Sequence, residues 1–564
     1  MKIPYGISDF KTLREQGYLY VDKTKYIEVL ENYDSKYMLF MRPRRFGKSL
    51  FLSILSYYYD VNYRDEFDDI FKDLYISNNP TKLKNSYLML EFNFSGLNTS
   101  DRGALEDSFK AKLKESIIRF LYKYQKYISD ISKVEREVQE KNDVGAILSR
   151  LITEIQKIDK KVYLIIDEYD HFANDIIAMG DNDFYREVVR AAGFVRDFYE
   201  TVKIGTESVI DRIFITGISP IMLDDLTSGF NIASNITMDR NLNEMMGFTD
   251  GEIDEIIERL EIKDLFKYRE ELRKNYNGYL FNKRGKNRIY NPDMVLYFIN
   301  QYKNFNEYPE NLIDDNVKTD YGRLNRLISN RENRRILEEI ILNEGIIADI
   351  VTRFSFDRMY DEDYFVSLLF YMGLLTIKGT KYGKPKLGMP NYVIKKIFWE
   401  YFEKSLKRAY DIRDKTEELA KVIWKIGIDG EIKPFLDYIS KNVFKVLSNR
   451  DFMKFDEKYI KVVLFSYLTT SNLYRPISER EVENGYIDIY LEKDIRMPEV
   501  NYEWIIELKY LKKSERNRLE EVKREGLKEL KGYVDSREFK DRENIKHALI
   551  VFIGKDEYEV VEYI

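Results

Sequence analysis

The stretch MLFMRPRRFGKSLFLSIL, Met38–Leu55, decides how the first third of this 564-residue chain is read. It ends as a phosphate-binding loop ends, on Gly47, Lys48 and Ser49, yet Arg42 stands where the pattern GxxxxGK[ST] opens on glycine. Such a loop must leave a strand and open a helix. Its backbone N–H groups then converge on the phosphates, and the helix N-terminus adds its dipole. Here YMLFM, Tyr37–Met41, precedes it and KSLFLSILSYYYD, Lys48–Asp60, follows. In that context Lys48 contacts β- and γ-phosphates while Ser49 ligates Mg²⁺. Taken alone, the segment reads equally well as a basic turn whose Arg42, Arg44, Arg45 and Lys48 are solvated.

Working outward, KVYLIIDEYDHF is an apolar strand ending in Asp167 and Glu168, and Asp167 lies 119 residues beyond Lys48. A Walker B strand needs this pair: one carboxylate for Mg²⁺ and a neighbour to polarise the attacking water. In RIFITGISP, Thr216 stands where a hydroxyl could meet the γ-phosphate. YLMLEFNF, Tyr87–Phe94, is a further apolar strand, and charged periodic segments such as Asp101–Gln125 and Val144–Ile158 read as helices between the strands. Strands alternating with helices imply a parallel sheet covered on both faces.

Composition sets the frame. The length implies about three domains at ~150 residues each. A hydrophobic share of 44% suits globular structure, and the net charge of −6 argues against a wholly basic nucleic-acid coat. The absence of cysteine removes disulfides, thiolate zinc sites and cysteine nucleophiles. With two histidines, His171 and His547, metal would be held by carboxylates, which suits Mg²⁺ or Mn²⁺. The N-terminal segment lacks the apolar core of a signal peptide, and the apolar run Tyr364–Ile377 is shorter than a bilayer span, so a cytoplasmic protein without membrane partners is expected.

Beyond Gly247 the pattern turns helical, with GFTDGEIDEIIERL as a capped helix. Residues 331–410 read as helix, two strands around a turn, and helix, as a winged-helix module would. From about Asp411 come helices, the strands GYIDIYL and YEWIIELKYL, a charged helix and a last strand HALIVFIG. In WIIELKY, Glu507 and Lys509 are two apart on a strand and share a face. Asp488 lies on the preceding strand. Two carboxylates and a lysine there can hold Mg²⁺ and stabilise charge on a phosphate, in the D…ExK pattern. Glu457 and Glu479 offer further carboxylates. A solvated strand face with a cross-strand ion pair is the plainer alternative. Lys509–Lys531 holds nine Lys or Arg against five Glu, compatible with a phosphate backbone or with an ordinary solvated helix.

The segments YGISDFKTLREQGYLYVDKTKYI, RPRRFGKSL, LIIDEYD and ITGISPIMLDDLTSGFNI resemble the AAA-ATPase-like family of bacteria and archaea, over roughly Lys2–Tyr297. Members of that family often carry a C-terminal PD-(D/E)XK nuclease-superfamily domain, and an Arg-Pro pair commonly replaces the first loop glycine. The resemblance implies an α/β P-loop ATPase core over 1–246, a helical lid over 247–330, a winged-helix-like connector over 331–410 and a restriction-endonuclease-like α/β domain over 411–564. It implies an ATP site of Arg42, Pro43, Arg44, Arg45, Phe46, Gly47, Lys48, Ser49, Asp167 and Thr216. Ser49 and Asp167 would hold Mg²⁺, Glu168 would act as base, and Val21–Thr24 would frame the base or ribose. It also implies a second site of Asp488, Glu507 and Lys509 holding Mg²⁺ or Mn²⁺ and acting on DNA or RNA, in a role such as mobile-element defence. Tyr486 replaces the arginine usual in GRID, and Glu529 stands where glutamine is usual. A regulatory ATPase whose second domain binds without cutting stays open, as does a structural ATPase that assembles as a homo-oligomer.

Overall fold

The computed structural model describes residues 1–179, 182–189, 193–222, 230–262, 264–314, 331–354, 358, 361–413, 415–447, 455–540, 542–555 and 557–563. They divide into two compact units, one of residues 1–306, 312–336 and 346–392, the other of 307–311, 337–345 and 393–564. The lid expected over 247–330 lies outside the described residues from 315 onward.

The first unit is built on a five-stranded sheet of β1 (Tyr37–Met41), β2 (Tyr87–Asn93), β3 (Lys161–Asp167), β4 (Ile210–Gly217) and β5 (Ser234–Asn235), ordered β2-β3-β4-β1-β5. Every pairing in it is parallel. Apolar runs such as Met38–Met41 and Val162–Ile166 are buried because helices cover both faces of a parallel sheet. The register sets Met41 beside Gly217 and Asn93 beside Asp167, so the C-terminal ends of four strands meet along one edge. Ligands bind at that edge in open α/β sheets.

Asp170, just beyond β3, locks this edge. Its buried carboxylate accepts hydrogen bonds from the Ile218 and Ser219 amides, the Ser219 hydroxyl and the Asn174 amide. Gly217 is what lets it approach: a Cβ there would stand 2.3 Å from Asp170 Oδ1 and 2.5 Å from the Tyr169 ring. Further along, Thr249 and Glu252 form a reciprocal capping box on the helix Asp250–Leu260. A small antiparallel sheet follows, of β6 (Ile346–Ile347), β7 (Thr376–Lys381) and β8 (Lys384–Gly388), ordered β6-β8-β7.

The second unit centres on β9 (Tyr474–Val482), β10 (Gly485–Lys493), β11 (Glu503–Leu511), β12 (Ile545–Ile553) and β13 (Glu557–Tyr563), ordered β13-β12-β11-β10-β9. β11 and β12 are parallel, joined by the crossover helix Leu519–Val534, and the other pairs are antiparallel. Two strands differ from the sequence expectation. β13 follows the supposed last strand, and β9, which carries Glu479, precedes the first strand expected in this domain. Both are edge strands, where one free side removes the demand for an apolar pattern and admits Pro476.

Gly217→Ala should destabilise the first unit by about 1–3 kcal/mol through overpacking against Asp170 and Tyr169. A lowered urea midpoint is expected, and an unchanged midpoint would show that the edge can relax.

Candidate functional site

The loop after β1 turns on Gly47, at φ 89°, and on Arg45, at φ 69°, and delivers Lys48 and Ser49 to the start of the helix Lys48–Tyr59. Lys48 is buried, and its ammonium donates to the carbonyls of Arg42 and Pro43 at 3.1 and 3.2 Å. The Ser49 hydroxyl donates to Asp167 at 2.8 Å, and Asn93 reaches the same carboxylate oxygen at 3.4 Å. Burial raises the Asp167 pKa, and the neighbouring Glu168 charge adds to the rise. Glu168 has φ 53°, and its Oε2 is buried without a hydrogen-bond partner among the described residues. These groups line a cavity of about 570 Å³ together with Arg44, Arg45, Phe46, His171 and Asp293. Arg45 stands 3.6 Å from Asp293 Oδ2.

Arg42 and Thr216 are expected to touch nucleotide, and the structure turns both side chains elsewhere. Arg42 is 1% exposed, with its guanidinium 4.1 and 4.2 Å from the ring centres of Phe40 and Phe281. It donates to the carbonyls of Met41, Thr237 and Leu242 at 2.8–2.9 Å. Burial lowers its pKa to about 9. Thr216 is fully buried and donates to the Phe40 carbonyl at 2.8 Å. Pro43 packs near Gly373, and Phe46 meets Tyr279 and Phe281 edge-on. In Val21–Thr24, Asp22 and Thr24 bond each other and the amides of Tyr75 and Ile76, while Lys23 donates to Glu252 at 2.6 Å. That segment is largely a brace, although Val21 and Lys23 also line the cavity.

The second cluster lies on the C-terminal sheet. β10 and β11 pair so that Ile489 faces Ile506, and the same register brings Asp488 opposite Glu507. Directly opposed residues share a face. Asp488 accepts the Leu508 amide at 3.0 Å. Lys509 donates to Glu507 at 2.5 Å and to Glu529 at 2.6 Å. Lys461 pairs with Glu479 and lies 3.9 Å from Asp488. Burial pushes Glu507 up to about 9, helped by a hydrogen bond with Glu529 and by the Asp488 charge. Burial and Asp488 also lift Glu457 to about 7. Lys461 and Asn93 escape the sequence reading. Lys461 carries a usable signal, since it sits four residues after Glu457 and shares its helix face.

Among the described residues, no group of three or more acidic or histidine side chains is gathered as a metal cage. The oxygen-only donors still fit a hard cation that keeps several waters. Glu507, 2% exposed, leaves Oε2 buried and unpartnered, and Asp167 already holds a ligating-type hydroxyl. Part of the basic helix region is answered by acids: Arg516 by Glu557, Arg518 by Glu521 and Lys523 by Glu520.

Residues 4–227 match the family model described as predicted AAA-ATPase, and residues 455–562 match that of the PD-(D/E)XK nuclease superfamily. The chain therefore combines an ATPase-like domain with a nuclease-superfamily domain. A protein encoded in the vnfD 5′ region of Azotobacter chroococcum mcd 1 is 29% identical over 311 residues, which span 54% of this chain and 53% of that relative. Among solved structures, the Walker-type ATPase of Pyrococcus abyssi aligns over 67% of this chain and 94% of its own, with 13% identity and a TM-score of 0.40. The Aeropyrum pernix ORC1 protein in complex with DNA aligns over 72% and 96%, with 11% identity and a TM-score of 0.27. Among the described residues, no helix is long and apolar enough to cross a membrane.

Two variants probe these environments. In the ATPase-like domain, Arg42→Ala leaves buried carbonyls without donors and opens a cavity, so a loss of about 3–5 kcal/mol is expected in urea unfolding. In the nuclease-superfamily domain, the folded Glu507 binds its proton far more tightly than the unfolded residue. Its stabilising contribution is complete below about pH 4.5 and is lost as pH rises toward 9. The melting temperature of Glu507→Gln should therefore fall less than that of the wild type between pH 5 and 9, and parallel pH profiles would contradict this.

Proposed function

We propose that the chain binds and hydrolyses ATP and couples this to a Mg²⁺-dependent phosphodiesterase site acting on DNA or RNA. In this reading the ATPase core is 1–246, the helical lid 247–330, the winged-helix-like connector 331–410 and the nuclease-like domain 411–564. The observation that carries it is the Ser49–Asp167 hydrogen bond, which joins the loop to the β3 carboxylate beside Lys48 and an unpartnered Glu168 in one cavity.

Ser49 and Asp167 would hold a magnesium ion, which supplies charge neutralisation at the phosphates when bound. Lys48 leaves its two carbonyls for the β- and γ-phosphates, and the loop amides receive the remaining oxygens. Glu168 takes a proton from the attacking water, since its buried free oxygen has no competing donor. In the second site Asp488 and Glu507 would hold a divalent cation, and Lys509 orients the water or steadies charge on the phosphate.

One observation favours the regulatory reading. Lys509 is held by both Glu507 and Glu529, and burial raises the Glu507 pKa, so the lysine is engaged by two acids and a cation must displace a proton from Glu507. A domain held this way would bind without cutting.

Lys48→Ala should abolish ATP binding, measured by calorimetry, and unchanged affinity would remove the loop from the site. Glu168→Gln should retain ATP while turnover falls ~10²–10⁴-fold; intact turnover would place the base elsewhere. Asp488→Asn should abolish cleavage of labelled DNA and RNA in Mg²⁺ or Mn²⁺ without changing ATP affinity. Absence of cleavage by the wild type with either metal would favour the regulatory reading.

A further inference from the structure

The β7–β8 hairpin carries four lysines and no acidic residue between Lys378 and Lys386. The register sets Lys381 opposite Lys384 and Lys386 opposite Gly379. Opposed residues, and residues two apart on a strand, share a face. Lys381, Lys384 and Lys386 therefore stand together on one exposed face, while a register shift between Ile377 and Gly379 sets the pair Ile377 and Leu387 on the other, buried side. Gly379 keeps that face open, since a Cβ there would meet nothing within 4 Å. Lys384 reaches Asp349 at 2.8 Å, an exposed pair that water screens. Like charges placed directly opposite weaken a hairpin, so Lys381 opposite Lys384 works against the fold.

The tip adds a second anomaly. Tyr382 and Gly383 form a two-residue turn with φ of 54° and 79°. Such a turn favours Asn-Gly, and a bulky residue in the left-handed region is disfavoured. Yet Tyr382 is 86% exposed, with the Lys381 ammonium 5.3 Å from its ring centre. The nearby helix Glu362–Tyr371 is buried from Tyr364 to Tyr371, so it offers no groove-reading face. A strained exposed aromatic flanked by a lysine face adds nothing to the core. It is the combination that binds single-stranded nucleic acid, where cations follow the backbone and aromatic rings stack on bases.

We propose that this hairpin is a single-stranded nucleic-acid contact, with Lys381, Lys384 and Lys386 on phosphates and Tyr382 stacked on an unpaired base. A duplex hides the base faces that Tyr382 needs. The contact goes beyond the nuclease reading and holds whether or not the C-terminal unit cuts.

The test is fluorescence anisotropy on the full chain, with EDTA present to suppress cleavage. The probes are labelled oligo-dT and oligo-rU of about 20 nucleotides and a duplex of similar length. The wild type should prefer a single strand over the duplex, and the better of dT and rU identifies the natural polymer. Replacing Lys381, Lys384 and Lys386 together by alanine should lower the slope of log K against log salt by about 2, from ~0.7 per phosphate contact. Tyr382→Ala should weaken binding at least about 5-fold with the slope unchanged, and Tyr382→Phe should restore it. No variant should melt below the wild type, and the triple variant, freed of its opposed like charges, should melt at or above it. No binding by the wild type, an unchanged slope in the triple variant, or a preference for duplex would overturn the proposal.

Discussion

A guanidinium is costly to bury without carbonyls to receive its protons, and Arg42 meets most of that demand through its two terminal nitrogens, in a way that shapes the loop beside the cavity. Held between Phe40 and Phe281, it answers Met41, Thr237 and Leu242 at once, joining the end of β1 to the segment after β5. In the usual loop, glycine opens the turn because the backbone must bend freely. Here the side chain at that position is itself the anchor, and Pro43 and Phe46 extend it by packing near Gly373 and against Tyr279. The altered entrance is thus fixed: Arg42 and Pro43 hold the loop, Phe46 packs on Tyr279 and Phe281 while also lining the cavity, and residues 44, 45 and 47–49 complete that lining.

The two clusters solve opposite electrostatic problems. At the loop, an ammonium and the helix N-terminus await negative charge, and Lys48 is parked on carbonyls that a phosphate can replace. On the C-terminal sheet, carboxylates crowd one buried face, and the cost of burying them is met by Lys461, Lys509 and a retained proton on Glu507. A divalent cation would meet the same need in another way, since buried carboxylates on one strand face favour any nearby positive charge. Lys509 bridges Glu507 and Glu529 and stands in the same cluster.

The edge of the first sheet shows how a small residue supports this chemistry. Gly217 admits Asp170, and Asp170 gathers the amides after β4, while the β2–β3 ladder separately sets Asn93 beside Asp167.

Much of this was legible in the residues alone. The strand-loop-helix order around Gly47-Lys48-Ser49, the apolar run ending in Asp167-Glu168 and the i, i+2 relation of Glu507 and Lys509 are local patterns, and local geometry follows from period and turn chemistry. The edge strands β9 and β13 were hidden because one unpaired side lets a strand carry charge and proline. The direction of the Arg42 side chain was hidden for a different reason. An arginine in a basic loop reads as solvated, and only the two phenyl rings and the carbonyls of Thr237 and Leu242, about 200 residues away in sequence, make burial the lower free energy. The same holds for Thr216, whose hydroxyl is claimed by Phe40 across the β1–β4 pairing, and for Lys461, which reaches Asp488 only once a helix packs on the sheet. Sequence determined which functional groups each segment carries; long-range packing decided which of them face the cavity or the carboxylate cluster and which brace the fold.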